Sequence, residues 1–238
     1  QLIDIGANLT HESFRHDLPD VLARARAQGV TTMIVTGASA QGTRDAHALA
    51  AAHPGLLYAT AGVHPHHASD FDADTEALLR EYHAKPEIVA VGETGLDYHR
   101  NLSPRDAQLF AFERQLQLAI ECGKPLFLHQ RDAHADFLAC MDNVRGRIGS
   151  AVVHCFTDDA HELDHTNGLD VPTADGTGVL FRARTVRQEQ REYAGEGSGV
   201  LLRDRQLELD RPVLDGIAAV VTPVMEIGLG AWLAVLVR

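Results

Sequence analysis

Four side chains stand where they could meet and do chemistry: His64, Glu93, His129 and His154. Each follows a short apolar, strand-like run: Leu56–Val63, Ile88–Val91, Leu126–Leu128 and Ala151–Val153. A carboxylate or imidazole directly after a buried strand must face solvent, a cation or a proton partner, because burying it alone is costly. One such residue is ordinarily a solvated or ion-paired loop side chain. Four in successive units argue for a shared site. Imidazoles with a carboxylate suit Zn2+, Mn2+ or Fe2+, and the carboxylate could also serve Mg2+. No Gly-x-Ser-x-Gly, Gly-x-Gly-x-x-Gly or Walker-type loop occurs, so neither a serine nucleophile nor a nucleotide cofactor is supported. Metal-assisted hydrolysis remains, in which a bound cation acidifies water and polarises the scissile group.

The elements that must position these residues alternate. Leu2–Leu9 and Thr31–Val35 read as strands, and the four runs above follow. Between them, helical spacing appears over Leu18–Gly29, Ala40–His53, Thr75–His83, Ser103–Gly123 and Ala133–Met141. The fourth helix is the clearest. Ser103 is expected to cap it, Pro104 suits its first turn, and Leu109, Phe112, Leu116 and Ile120 give one apolar face. Gly92 is expected to end the fourth strand, just before Glu93. Alternation of this kind implies a parallel α/β sheet, and in a (β/α)8 TIM barrel the chemistry sits at the C-terminal strand ends. The expected architecture is one barrel domain over 1–238. Its last two βα units are expected to be irregular or incomplete, since periodicity fades after residue 165.

Composition narrows the partners. With 21 basic and 33 acidic side chains the net charge is −12, so there is no broad basic footprint for nucleic acid. A polyanionic substrate would need a bound cation and a local patch. Three cysteines without CxxC spacing fit a reducing compartment, and the expected location is the cytoplasm. No signal-peptide pattern is seen. Residues 217–238 are nearly apolar, but Pro223 and Glu226 interrupt them, which favours a core element over a membrane span.

The segments DIGANLT, TAGVHPH, VGETGLDY, PLFLHQRDAH and VVHCFT, in this order, resemble the successive motifs of TatD-type metal-dependent deoxyribonucleases. Those belong to the metallo-dependent hydrolase superfamily of TIM barrels. The match spans about residues 2–165. The resemblance implies a metal-dependent phosphodiester hydrolase acting on DNA, as an exonuclease, with one or two divalent cations (Mg, Zn or Mn). By the same resemblance Glu93, His129 and His154 take metal-ligand positions, and His64 and His66 line the substrate pocket. Many relatives carry His-x-His on strand one; here Gly6 and Asn8 stand there.

Arg131 could hold a phosphate bidentately; the plainer alternative is an ion pair with Asp132. A carboxylate is still needed beside the metal-bound water, and Asp204, Asp210 and Asp215 are the candidates. Asp210 follows the alternating Leu207-Glu208-Leu209 and precedes Pro212, and its surroundings partly resemble the family's strand-eight Glu-Thr-Asp-Ala-Pro-Tyr-Leu. Asp210 is therefore expected as metal ligand and general base, with Glu93 sharing the catalytic work. Arg184, Arg187 and Arg191 read as a solvated helix face, since Glu189 and Glu192 are interleaved. Two alternatives stand: a barrel metallohydrolase of amides or esters, and a metal-binding barrel with impaired catalysis.

Overall fold

The computed structural model describes residues 2–154, 218–222 and 233–237. Strands β1 (Leu2–Ala7), β2 (Val30–Val35), β3 (Leu57–Ala61), β4 (Ile88–Asp97), β5 (Leu126–Arg131) and β6 (Ala151–His154) pair in sequence order, all parallel. Helices α1 (Leu18–Ala27), α2 (Ala40–Ala52), α3 (Ala73–His83), α4 (Arg105–Cys122) and α5 (His134–Asp142) alternate with them. This is the first part of a TIM barrel, and it runs one strand per unit, as the alternation of apolar runs predicts.

Strand residues of alternating parity split the core into two layers. Met33, Val35, Leu57, Ala59 and Ala61 pack with Leu22, Ala46, Ala50 and Leu79 of the helices. Val91, Leu96, Leu126, Leu128 and Val153 pack with Phe112, Leu116, Phe137 and Met141. On the opposite face Ile5, Ala90 and Phe127 gather with Ile3, Ile34 and Val152, with no helical residue among them. That second face is the barrel interior.

Local chemistry sets the helix ends. Ser39 Oγ accepts the Gly42 N–H at the start of α2, and Asp72 Oδ1 accepts the Thr75 N–H at the start of α3. Gly123 stops α4 in the left-handed region at φ 65°. Ser103 does not cap α4. Pro104 occupies that place, and the Ser103 hydroxyl is drawn away to the turn after β3, where it donates to His66 O and accepts from Ser69 N.

A further expectation is corrected. The fourth strand does not end at Gly92; β4 runs on to Asp97 across a register break between Val91 and Thr94. Gly92 and Gly95 lie at φ 137° and 140°, and a Cβ there would overlap the carbonyl oxygens of Phe127 and His129. Only glycine lets β4 bend so close to β5. The last strands depart from a regular barrel's seventh and eighth, in line with the irregularity expected there. β7 (Ala218–Thr222) and β8 (Leu233–Val237) pair antiparallel, and β8 lies antiparallel on β1. The apolar stretch 217–238 thus contributes sheet. Among the described residues no helix is long and apolar enough to cross a membrane.

Candidate functional site

β4 delivers two carboxylates to one place. Glu93 and Asp97 are four apart on a strand, so both face the same side, while Leu96 between them packs against the helices. β5 alternates likewise: Leu126 and Leu128 face α4 and α5, whereas Phe127 faces the interior and His129 follows two residues later. After β3 the chain enters a 3-10 turn, Pro65–Asp70, with His64 at its N-cap. His64 is therefore held by a cap rather than by a strand. Its Nδ1 accepts the His66 N–H at 3.1 Å.

The three elements converge. His129 Nδ1 lies 3.2 Å from Glu93 Oε1, and His64 Nε2 lies 3.5 Å from the same oxygen. One ligand atom from each of His64, Glu93 and His129 falls within 4.8 Å of the others, a grouping that could hold a metal ion. All three residues are buried. One carboxylate oxygen with imidazole nitrogens is a donor set that fits borderline divalent cations. β6 aligns with β5 so that His154 is the register partner of His129; the side chain of His154 lies outside what the structure describes. Asp210, with its alternatives Asp204 and Asp215, lies outside the described residues. So do Arg184, Arg187 and Arg191.

Asp97 is the site residue that sequence reasoning passes over. It is 1% exposed. Its Oδ2 accepts from His66 Nε2 at 2.7 Å and lies 3.3 Å from His129 Nε2, while Oδ1 accepts the Arg100 N–H at 2.8 Å. Burial pushes its pKa up, but the hydrogen bonds from His129, His66 and Arg100 N outweigh that, and the carboxyl is held well below the usual carboxylate range. The period-2 spacing Glu93, Gly95, Asp97 carried the signal, had the strand been read through the glycines.

Two glutamines of α4 lock the strand ends that carry the site. Gln108 accepts the Asp97 N–H and donates to Asp97 O and Ser103 O. Gln115 accepts the Val63 N–H and donates to Val63 O and Ala111 O. Val63 and Asp97 thereby keep partners where regular strand pairing runs out. At the rim, Asp132 pairs with His99 Nδ1 at 2.9 Å rather than with Arg131. Arg131 has no ion pair among the described residues, and it ends β5 two residues after His129.

Several known proteins are similar to this chain. A 3'-5' ssDNA/RNA exonuclease TatD of Pantoea vagans is 47% identical over 163 residues, covering 68% of this chain and 63% of its own. The protein of the same name from Edwardsiella piscicida matches at 47% over the same shares. The chain thus spans a little under two thirds of these curated relatives. Among solved structures, YJJV, a TatD homolog from Escherichia coli, superposes with a TM-score of 0.62 at 26% identity, over 70% of this chain and 64% of that one. An uncharacterized amidohydrolase from Saccharomyces cerevisiae gives 0.63 at 26%, over 70% and 65%. The model of the TatD related DNase family matches residues 3–194, from β1 past all the residues gathered at the mouth, and this chain belongs to that family.

Proposed function

We propose that residues 1–238 act as one hydrolase domain that cleaves phosphodiester bonds in single-stranded nucleic acid with a divalent cation, removing nucleotides from a strand end. The observation that carries this reading is the meeting of Glu93 Oε1 with His129 Nδ1 in a buried cluster at the ends of adjacent strands. The names of the curated relatives support DNA or RNA as the substrate class.

In this reading Glu93, His129 and His154 hold the cation, joined by Asp210. When bound, the cation acidifies a water molecule and polarises the phosphate; Mg2+, Mn2+ and Zn2+ are the candidate ions, one or two in number. His64 has a different task. Its Nδ1 accepts a backbone N–H, so the proton of the neutral ring sits on Nε2. That nitrogen donates to Glu93 or to a phosphate oxygen, and it lies in the same grouping that could hold the cation. His66, anchored through Nε2 to Asp97, lines the same pocket. Arg131 offers a planar pair of donors to a phosphate. Asp210, or Glu93 when the cation leaves it an oxygen, accepts the proton of the attacking water. A cation and these few donors offset the repulsion that a net charge of −12 presents to a polyanion. The free thiols Cys122 and Cys140 suit a cytoplasmic location.

The test is hydrolysis of 3'-end-labelled single-stranded DNA and RNA before chelation, after it, and after adding back Mg2+, Mn2+ or Zn2+. Loss on chelation and recovery with one of the ions is expected. Undiminished turnover after exhaustive chelation would refute the reading. Hydrolysis of amide or ester substrates alone would replace it with the reading that the yeast amidohydrolase neighbour favours.

A further inference from the structure

Asp97 is more than a buried anion. Gln108 grips its backbone on both sides and Arg100 N–H occupies Oδ1, so the carboxylate cannot swing. What remains is Oδ2, turned toward two imidazoles, His66 Nε2 and His129 Nε2. A carboxylate only accepts, so a ring nitrogen facing it carries a hydrogen. His129 faces a carboxylate on each side, Glu93 through Nδ1 and Asp97 through Nε2; a cation beside Glu93 would take the place of the Nδ1 hydrogen, and the ring then keeps its remaining hydrogen on Nε2 against Asp97.

We propose that Asp97 is a positioning residue: it holds the hydrogen of His129 on Nε2 and so presents Nδ1 to the cation beside Glu93, while the same oxygen anchors His66. The proposal rests on the cation reading above. Histidines that bind metals generally donate their other N–H to a carboxylate or carbonyl, which fixes the ring and raises its basicity. Here one carboxylate serves two rings from adjoining elements. The turn after β3 and the end of β5 are therefore tied through the last residue of β4.

Asp97→Asn separates this role from simple packing. Arg100 N–H requires the amide oxygen at the Oδ1 position. The amide NH2 then faces both imidazoles, and a donor there drives the His129 hydrogen from Nε2 to Nδ1. Long-range 1H–15N NMR of the histidine rings reads this directly, in metal-free and Zn2+-loaded protein. In the wild type we expect a protonated Nε2 on His129 in both forms. In Asp97→Asn we expect a bare Nε2 and a Mn2+ affinity about 10–100-fold weaker, by calorimetry. His66→Gln removes the other arm, and His129 should keep its Nε2 hydrogen. An unprotonated Nε2 in the wild type overturns the proposal, even where Asp97→Asn does not fold. So does an Asp97→Asn protein with unchanged protonation and unchanged Mn2+ affinity. A wild type that binds none of the cations sinks the cation reading and the proposal with it, whereas a wrong protonation pattern in a cation-binding wild type sinks the role of Asp97 alone.

Discussion

Gln115 offers a sharp test of how the site is held. It is fully buried on α4, and its side chain acts on Val63 as a neighbouring strand would. Oε1 accepts the Val63 N–H at 2.7 Å and Nε2 donates to Val63 O at 3.0 Å and to Ala111 O at 3.1 Å. Gln115→Met keeps the length and most of the volume but removes all three bonds. Val63 is 3% exposed, so water does not readily replace them. Two orphaned backbone groups cost about 1–3 kcal/mol each. Burying a thioether in place of an amide returns about 1–2 kcal/mol. The mid-range expected loss is about 2.5 kcal/mol, equivalent to a fall in Tm of roughly 5–10 °C for a chain of this size. Urea unfolding should show a lower midpoint with an unchanged m-value. Because Val63 leads directly into His64, Mn2+ affinity should also weaken. A stability change below about 0.5 kcal/mol would refute the reasoning, since two unpaired buried groups cannot be that cheap.

Glu93→Gln should keep the fold yet lose most Mn2+ binding and nuclease turnover, read by calorimetry beside far-UV circular dichroism; near wild-type turnover would remove Glu93 from the cation site. Arg131→Lys should raise KM on single-stranded DNA severalfold with a smaller change in kcat, because a single ammonium cannot replace a planar fork on a phosphate; an unchanged KM would exclude a phosphate contact. His83 is buried near Lys124, and burial first, then that positive charge, lowers its pKa to about 4. The folded state thus binds fewer protons, and this contribution is present above pH 6.5 and lost as pH falls toward 4, on the order of 3 kcal/mol in all. His83→Leu should flatten that slope in urea midpoints measured between pH 4 and 7. Asp4 works in the opposite sense: burial raises its pKa to about 6. Its contribution is full below pH 3.8 and lost as pH rises through 6, so Asp4→Asn should be stabilising at pH 7 and neutral at pH 3.5.

The first six strands were legible because each is a short, largely apolar run bounded by glycine or a polar residue. His64, Glu93 and His129 were legible for the same reason, since a polar residue after such a run is conspicuous. Asp97 was not, because Gly92 and Gly95 read as strand breakers, whereas their positive φ values carry β4 onward against β5. Ser103 and Pro104 fit a capping pattern, and only the competing demand of the turn after β3 overrides it. The reversed direction of β8 is a tertiary matter: alternation of side chains says nothing about which way a strand runs.

The order of pairing also has a meaning in time. Chains emerge from the ribosome N-terminus first, at about 5–20 residues per second, so residue 154 follows residue 2 by roughly 8–30 s. At that moment β4 has both its neighbours, β3 and β5, and β5 has both of its own, β4 and β6. Glu93, Asp97 and His129 thus sit on strands whose lateral partners have all been synthesised by then. The pairing of β8 with β1 joins Val237 to Leu2, almost the whole length apart. Contacts so distant along the chain are the slow ones to form. Biosynthesis therefore completes the strands that carry the site before it reaches the hairpin that covers the edge of β1.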